Sequence, residues 1–308
     1  MNLEAFVLGT GGMMPLPGRG LTSVLVRREG ELFLFDCGEG TQIGLRRLNL
    51  RWKKITSIFI SHTHADHVTG LPGILMLSSQ VDRDEPLYIY GPPKIRDFVD
   101  AMRRTLDMYI NYEIVVREIE GSLVLVQAED YAIRCHPLVH TKPCLAYSIE
   151  ENMRPGIFYP DKAQALGVPR GPMWSQLQGG ESVCLPDGTV IQPAQVMGSE
   201  RKGRKFCFAT DTIAAPGLAE FARNADLFIC EGMFAEELAE SAADKKHLTA
   251  AQAARIAREG AVKQLGLIHY SPRYSERELK KLLGEAREIF PGSFLTRDLQ
   301  HIELPFED

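Results

Sequence analysis

The stretch SHTHADHVTG, residues 61–70, places three histidines and one aspartate within six positions. These residues, His62, His64, Asp66 and His67, follow an apolar run at 57–60 whose composition is typical of a β-strand. Imidazole nitrogens and carboxylate oxygens bind zinc and similar divalent ions, and four of them on one loop can serve two neighbouring ions. The motif therefore predicts a two-metal site, and the alternative is a polar turn that is rich in histidine by chance.

Two ions need more ligands than one loop offers, so further His or Asp residues should stand at the ends of other strands. Three do: His140 follows the run 134–139, Asp211 follows 206–210 and His269 follows 265–268. Taken singly, a histidine that ends a strand is more often a capping or core residue, and an Asp-Thr pair often begins a helix. Together with the loop they complete a set of seven candidate ligands in which Asp211 can bridge both ions.

The order of the predicted elements indicates an α/β fold. Apolar runs rich in Val, Ile and Phe come first, too closely spaced for helical crossovers, and strands alternate with helices later in the chain. The predicted strands are 5–8, 23–26, 32–35, 57–60, 87–90, 206–209, 227–230 and 265–268, and the predicted helices are 41–48, 67–77, 93–106, 248–259 and 275–289. Helices on both outer faces of the sheets are compatible with a four-layer αββα sandwich.

The segment 152–201 differs from the rest of the chain because it is dense in Gly and Pro and lacks sustained periodicity. A loop of this length in a compact domain is usually functional or mobile. We expect one domain over residues 1–308 with 152–201 inserted in it as a projecting, flexible arm.

Composition excludes several classes of protein. The net charge of −5 argues against a protein that coats nucleic acid indiscriminately, although local clusters of Lys and Arg occur. The six cysteines form no CxxC pair, so neither a thiolate zinc site nor a disulfide framework is indicated. No stretch resembles a signal peptide or a membrane span, and we expect a soluble, cytoplasmic protein with no membrane association.

The HxHxDH loop and the distant His, Asp and His resemble the metallo-β-lactamase superfamily. Within it, the chain resembles the bacterial ribonuclease Z family, the endonucleases that process tRNA 3′ ends, over nearly its whole length. The segments specific to that branch are FDCGEGTQ at 35–42, GLPG at 70–73, YGP at 90–92, VPRGPMWSQLQGG at 168–180, HLTAAQAA at 247–254 and HYSPRY at 269–274.

The resemblance implies a metallo-β-lactamase αββα fold with two Zn²⁺ per subunit, Mn²⁺ being a possible substitute. His62, His64 and His140 would hold one ion, His67 and His269 the other, and Asp211 would bridge them. Asp66 would ligate the second ion and act as general base. The arm would grip precursor tRNA within a homodimer in which one subunit holds the tRNA body while the other cuts, and no other protein partner is inferred.

Four further residues, Arg19, Gly171, Pro172 and Arg273, would bind substrate. The products would be a tRNA with a 3′-hydroxyl and a trailer with a 5′-phosphate. His247 paired with Glu231 would protonate the leaving oxygen, the alternative being a helix-entry role for His247. The last two histidines, His136 and His301, are expected to be structural.

The chain departs from the family pattern at two places. Cys230, Glu231, Gly232 and Met233 stand where members commonly carry His-Glu-Ala-Thr, and Arg19-Gly20 stands where they commonly carry Arg-Asn. These departures bear on substrate positioning more than on metal chemistry.

Two other hypotheses are a metallo-hydrolase acting on a small-molecule ester or phosphodiester, and a catalytically silent RNA-binding relative, because fold does not fix substrate.

Overall fold

The structure is a computed structural model that describes residues 2–80 and 83–306. Its strands are β1 Leu3–Gly9, β2 Ser23–Arg28, β3 Glu31–Phe35, β4 Ile55–Phe59, β5 Leu87–Gly91, β6 Ile114–Glu118, β7 Leu123–Gln127, β8 Tyr131–Val139, β9 Pro143–Glu151, β10 Val183–Cys184, β11 Val190–Ile191, β12 Lys205–Ala209, β13 Leu227–Glu231, β14 Leu265–Ile268, β15 Ser293–Leu295 and β16 His301–Glu303. Its α-helices are α1 Thr41–Arg47, α2 Ala65–Val68, α3 Leu71–Ser79, α4 Ile95–Thr105, α5 Pro160–Ala165, α6 Pro172–Gln178, α7 Pro193–Val196, α8 Leu218–Phe221, α9 Ala239–Asp244, α10 Ala250–Glu259 and α11 Glu276–Ile289. Two short 3₁₀ turns lie at Trp52–Lys54 and Glu236–Leu238.

Two seven-stranded sheets carry the fold. The first has the order β16-β1-β2-β3-β4-β5-β6 and the second the order β15-β14-β13-β12-β9-β8-β7. In each sheet the strands with helical crossovers, β3 to β6 and β12 to β15, run parallel. The carboxyl ends of parallel strands lie along one edge of a sheet, which is where loops of this kind of fold bind ligands.

An aromatic core joins the inner faces of the two sheets. Phe35 and Phe59 from the first sheet pack against Tyr147 of the second, with ring centroids 6.2 and 5.3 Å away, and Phe35 also contacts Phe206 at 5.3 Å. All four side chains are fully buried. Since aromatic side chains bury the most apolar area, this layer supplies much of the hydrophobic stabilisation that holds the sheets together.

Separate apolar clusters cover the outer faces. On the first sheet, Leu45 of α1, Ile74 of α3 and Val99 of α4 are buried against the strands. On the second sheet, Ala253 of α10 and Leu282 of α11 belong to the corresponding cluster. The layer order helix, sheet, sheet, helix confirms the αββα sandwich expected from the sequence.

The chain divides into two compact units. Of the described residues, one unit comprises 2–80, 83–150 and 205–305 and contains both large sheets; the other comprises 151–204 and 306. The second unit has its own small core, in which Ala163, Leu177 and Val196 are fully buried, and it contains α5, α6, α7 and the β10-β11 hairpin. Short elements of this length lack the periodicity by which a sequence predicts helices, and for this reason they were not expected.

The eight predicted strands and the helices α1, α4, α10 and α11 are confirmed within a few residues. The predicted helix 67–77 is instead two helices, α2 and α3, separated at Gly70. Gly70 lies against the chain at Cys37 and Gly38, and a Cβ on it would come within 2.2 Å of the Gly38 carbonyl oxygen. The Gly70 amide donates to the Cys37 carbonyl oxygen at 2.8 Å and the Cys37 amide donates to the His67 carbonyl oxygen at 2.9 Å, so these groups pair with the chain at Cys37 where the helix is interrupted. Among the described residues, no helix is long and apolar enough to cross a membrane.

Candidate metal centre

The seven predicted ligands converge on one place at the carboxyl ends of the central strands. The loop after β4 supplies four of them, and His140, Asp211 and His269 follow β8, β12 and β14. The sequence separations are large, so only the pairing of the two sheets brings these side chains together.

The first cluster is formed by His62, His64, His140 and Asp211. The Nε2 atom of His62 lies 2.8 Å from Nδ1 of His64, which in turn lies 3.3 Å from Nε2 of His140. Oδ2 of Asp211 lies 3.5 Å from Nε2 of His62 and 3.6 Å from Nε2 of His140.

The second cluster is formed by Asp66, His67, His269 and the other oxygen of Asp211. Nε2 of His269 lies 3.2 Å from Nε2 of His67 and 3.3 Å from Oδ2 of Asp66. Oδ1 of Asp211 lies 3.2 Å from His269 Nε2 and 3.5 Å from His67 Nε2. Asp211 thus gives one oxygen to each cluster.

Both clusters fit a divalent cation. Ligand atoms bonded to zinc at about 2.0–2.1 Å in tetrahedral geometry stand about 3.4 Å from one another, and the separations in both clusters lie near this value. Nitrogen and carboxylate oxygen together are also the donor set that zinc and similar ions accept. The two clusters therefore form a divalent metal site.

Electrostatics favours cations at both clusters. Burial lowers the pKa of His62, His64 and His140, which keeps these imidazoles in the neutral form that binds metal. Burial also lowers the pKa of His67, but the charges of Asp211 and Asp36 outweigh it and raise that pKa to about 10. The negative charges of these carboxylates thus favour a positive charge at the second cluster, and a divalent cation would supply it.

Asp36 is a further residue of the site that the sequence prediction did not include. It orients ligands of both clusters through hydrogen bonds. Its Oδ2 accepts a hydrogen bond from Nδ1 of His67 at 2.7 Å and from the Ser61 hydroxyl at 2.8 Å. The Ser61 hydroxyl lies 3.0 Å from Nδ1 of His62, and the Ser61 amide donates to Oδ1 of Asp36 at 2.7 Å. A carboxylate bonded to the far nitrogen of a ligating histidine fixes its ring and raises its basicity. The signal that could have found Asp36 was its place directly after β3 in the FDCGEGTQ segment.

Several site residues hold backbone conformations that non-glycine residues seldom adopt. Asp36, Asp211 and His269 have φ angles of +54°, +38° and +62°. Such conformations cost free energy and persist at sites where the surrounding structure enforces them. Here they turn the side chains inward at the strand ends.

The predicted pair of His247 and Glu231 is formed beside the first cluster. Nδ1 of His247 lies 3.1 Å from Oε2 of Glu231, and Glu231 is fully buried and also accepts the Thr212 amide at 2.6 Å. Burial lowers the pKa of His247, but the charge and hydrogen bond of Glu231 outweigh it and raise the pKa to about 9. The Glu231 carboxylate therefore favours the protonated form of His247.

The predicted substrate-binding residues belong to both units, Arg19 and Arg273 to the first and Gly171 and Pro172 to the second. The Arg19 guanidinium is buried, donating to the Tyr274 carbonyl at 3.1 Å and to Glu276 at 2.8 Å. Arg273 is exposed four positions after His269, and its guanidinium lies 4.9 Å from the centre of the Phe234 ring. Gly171 and Pro172 begin α6 in the second unit.

The two remaining histidines have structural contacts. His136 lies 3.2 Å from the Pro216 carbonyl oxygen and stacks on Phe221, and His301 stacks on Phe6 and lies 2.9 Å from Glu4. Neither belongs to the clusters described above.

Comparison with known proteins agrees with this geometry. Ribonuclease Z of Treponema denticola is 61% identical over 308 residues, which is 100% of both chains. Ribonuclease Z of Methanosarcina acetivorans is 40% identical over 304 residues, covering 99% of each chain. The crystal structure of the short form of human tRNase Z matches with a TM-score of 0.73 and 27% identity, covering 98% of this chain and 100% of that one. A family model described as anti-Pycsar protein Apyc1 matches residues 3–119, less than half of the chain.

The four-layer sandwich and the paired His/Asp clusters define a metal-dependent hydrolase of the metallo-β-lactamase fold. Within that class, the full-length identities show that the chain belongs to the ribonuclease Z family, the endoribonucleases of tRNA 3′-end processing.

We predict that Asp36→Asn weakens metal binding about 10- to 100-fold, because an amide carries no charge to offset that of a cation held by His67 and cannot accept all three hydrogen bonds that Asp36 accepts. Equilibrium dialysis against Zn²⁺ with a competing chelator measures the change. Asp100→Asn, on the exposed face of α4, is the matched control and should bind metal as the wild type does. Equal affinities for Asp36→Asn and the wild type would contradict the role of Asp36.

Proposed function

We propose that the two clusters hold two Zn²⁺ ions per subunit, with Mn²⁺ as a substitute. The observation that supports two ions is the carboxylate of Asp211, which faces one cluster with Oδ2 and the other with Oδ1. His62, His64 and His140 would hold one ion, and Asp66, His67 and His269 the other. When bound, the cations supply Lewis acidity to the phosphodiester and to the attacking water.

The function that this site supports best is the removal of 3′ trailers from precursor tRNA, leaving a 3′-hydroxyl on the tRNA and a 5′-phosphate on the trailer. Its support is the combination of the paired clusters with the full-length similarity to ribonuclease Z. Because its substrate would be precursor tRNA, we also place the protein in the cytoplasm.

Asp66 acts as the base in this proposal. Burial raises its pKa, but the hydrogen bond from His269 and the charge of His67 outweigh burial and hold the pKa below its usual range. Asp66 is therefore ionised, and the Met13 amide, which donates to Oδ2 at 2.7 Å, fixes its orientation. An ionised, oriented carboxylate at this position aligns the attacking water and accepts its proton.

His247 supplies the proton for the leaving group. Glu231 engages Nδ1, which leaves Nε2 for the departing ribose oxygen. The Thr212 amide and the buried position of Glu231 hold the pair in place. Protonation matters because a ribose alkoxide is a poor leaving group.

The compact unit 151–204 would bind the tRNA body as the arm predicted at 152–201, with Gly171 and Pro172 in its contact loop. Within the sandwich, Arg273 is an exposed cation four positions after His269 that would contact phosphate, and Arg19 would fix the chain around Tyr274. We further propose a homodimer in which the arm of one subunit serves the site of the other.

Incubation of the metal-loaded protein with a 3′-extended precursor tRNA should give two products whose mapped ends are a 3′-hydroxyl and a 5′-phosphate. Prior treatment with a chelator should abolish cleavage, and added Zn²⁺ should restore it. Hydrolysis of a small phosphodiester without any cleavage of the precursor would favour a small-molecule hydrolase instead.

For His247→Ala we expect precursor cleavage to fall about 10²- to 10⁴-fold, the usual contribution of a general acid, with metal content unchanged. His136→Ala is the matched control, since His136 contacts Pro216 and Phe221 instead of the ligands. Single-turnover cleavage rates and metal analysis provide the two measurements. If His247→Ala cleaved the precursor at the wild-type rate, the general-acid role would be wrong and only the helix-entry role would remain.

Subunit mixing tests the arm and the dimer together. Glu150 and Lys205 are register partners in β9 and β12, so a short Asn-Gly turn can replace residues 151–204 without separating these strands. The arm-deleted chain should keep small-diester hydrolysis but lose precursor cleavage, and His247→Ala should also lose precursor cleavage. Mixing the two chains should restore cleavage, because one supplies an intact site and the other an arm. No restoration, with mixed dimers demonstrated by native mass spectrometry, would count against arms that act between subunits.

A further inference from the structure

The ligating histidines differ in what holds the nitrogen that points away from the metal site. Nδ1 of His67 meets Asp36 at 2.7 Å, and Nδ1 of His140 meets the Lys246 carbonyl oxygen at 2.9 Å. Nδ1 of His269 is buried and has no hydrogen-bond partner among the described residues. A hydrogen bond at Nδ1 therefore cannot be what orients the ring of His269.

The ring of His269 lies directly on Gly12. A Cβ on Gly12 would come within 2.6 Å of Cε1, 2.7 Å of Nε2 and 2.9 Å of Nδ1 of His269. These separations are shorter than any real contact of a Cβ atom, so the ring would have to move. Gly12 does not have a positive φ, so its need for glycine is one of space and not of backbone conformation.

The loop that carries Gly12 is fixed to the strand end that carries His269. The Gly12 amide donates to the Tyr270 carbonyl oxygen at 3.0 Å, and the Tyr270 amide donates to the Thr10 carbonyl oxygen at 2.9 Å. The next residue, Met13, donates its amide to Asp66. Two ligands of the second cluster are thus positioned by adjacent residues of one loop.

We infer that Gly12 is a positioning residue of the second cluster: its bare Cα is the surface against which the His269 ring rests, and it aims Nε2 at the cluster in place of a hydrogen bond. This inference rests on the proposed two-cation site. It predicts that a single methyl group at position 12 weakens the second cation site and leaves the site formed by His62, His64 and His140 intact.

The test compares Gly12→Ala with the wild type by equilibrium dialysis against Zn²⁺ alone, with circular dichroism to confirm folding. We expect the wild type to bind two zinc ions and Gly12→Ala to bind one as before and the other about 10- to 100-fold more weakly, the usual effect of losing support behind a ligand. Gly284→Ala is the matched control, because a Cβ on Gly284 in α11 meets nothing within 4 Å. Its metal content should equal that of the wild type.

A double variant separates the ring contact from a general effect on the loop. In a His269→Ala background the clash is absent, so adding Gly12→Ala should change neither zinc content nor melting temperature further. Equal losses of melting temperature in both backgrounds, or two unchanged zinc ions in Gly12→Ala, would overturn the inference. Should Gly12→Ala alone not fold, recovery of folding in the double variant supports the clash, and failure of both overturns it. A wild-type chain that binds fewer than two zinc ions overturns the two-cation proposal itself.

Discussion

The buried carboxylate of Asp36 is the interaction on which the organisation of the metal centre depends. One oxygen contacts His67 and the Ser61 hydroxyl, and the other accepts the Ser61 amide, so a single side chain orients ligands of both clusters. Burying a carboxylate is costly unless it is fully hydrogen-bonded, and Asp36 meets that condition with donors that all belong to the histidine loop. The loop and the strand end of β3 therefore fix each other.

This mutual fixation explains why unusual backbone conformations are tolerated at the strand ends. Asp36, Asp211 and His269 all have positive φ angles, whereas the strands that precede them are buried over most of their length. The aromatic layer around Phe35, Phe59 and Tyr147 makes those strands rigid relative to each other. A rigid scaffold can impose strained conformations on short segments at its edge, and strain of this kind is usually concentrated at functional sites.

The order of apolar runs and helical periods was compatible with the sandwich, which the family resemblance then implied, and local signals named the seven converging residues. Apolar runs predict strands, and a ligand type directly after such a run predicts a site at a strand end. Asp36 was missed because its role depends on Ser61 and His67, whose positions relative to β3 follow only from strand pairing. Gly12 was missed for the same reason, since the ring that it contacts is 257 positions further along the chain. The helices of the second unit were missed because four to seven residues are too few to show a helical period.

The structure shows which contacts are affected where residues 230–233 depart from the family pattern. Side chains alternate along β13, so Ile229 and Glu231 face the space between the sheets, whereas Phe228 and Cys230 pack in the outer cluster with α10 and α11. Cys230 therefore changes packing on the helical side of the sheet, while Glu231 keeps its bonds to His247 and Thr212. Gly232 lies against Leu267, where a Cβ would come within 2.9 Å of Cδ2, so a residue with a side chain here requires the end of the Leu267 side chain to move. The departures thus fall on packing positions, whereas the chain retains Glu231, the partner of the proposed acid His247.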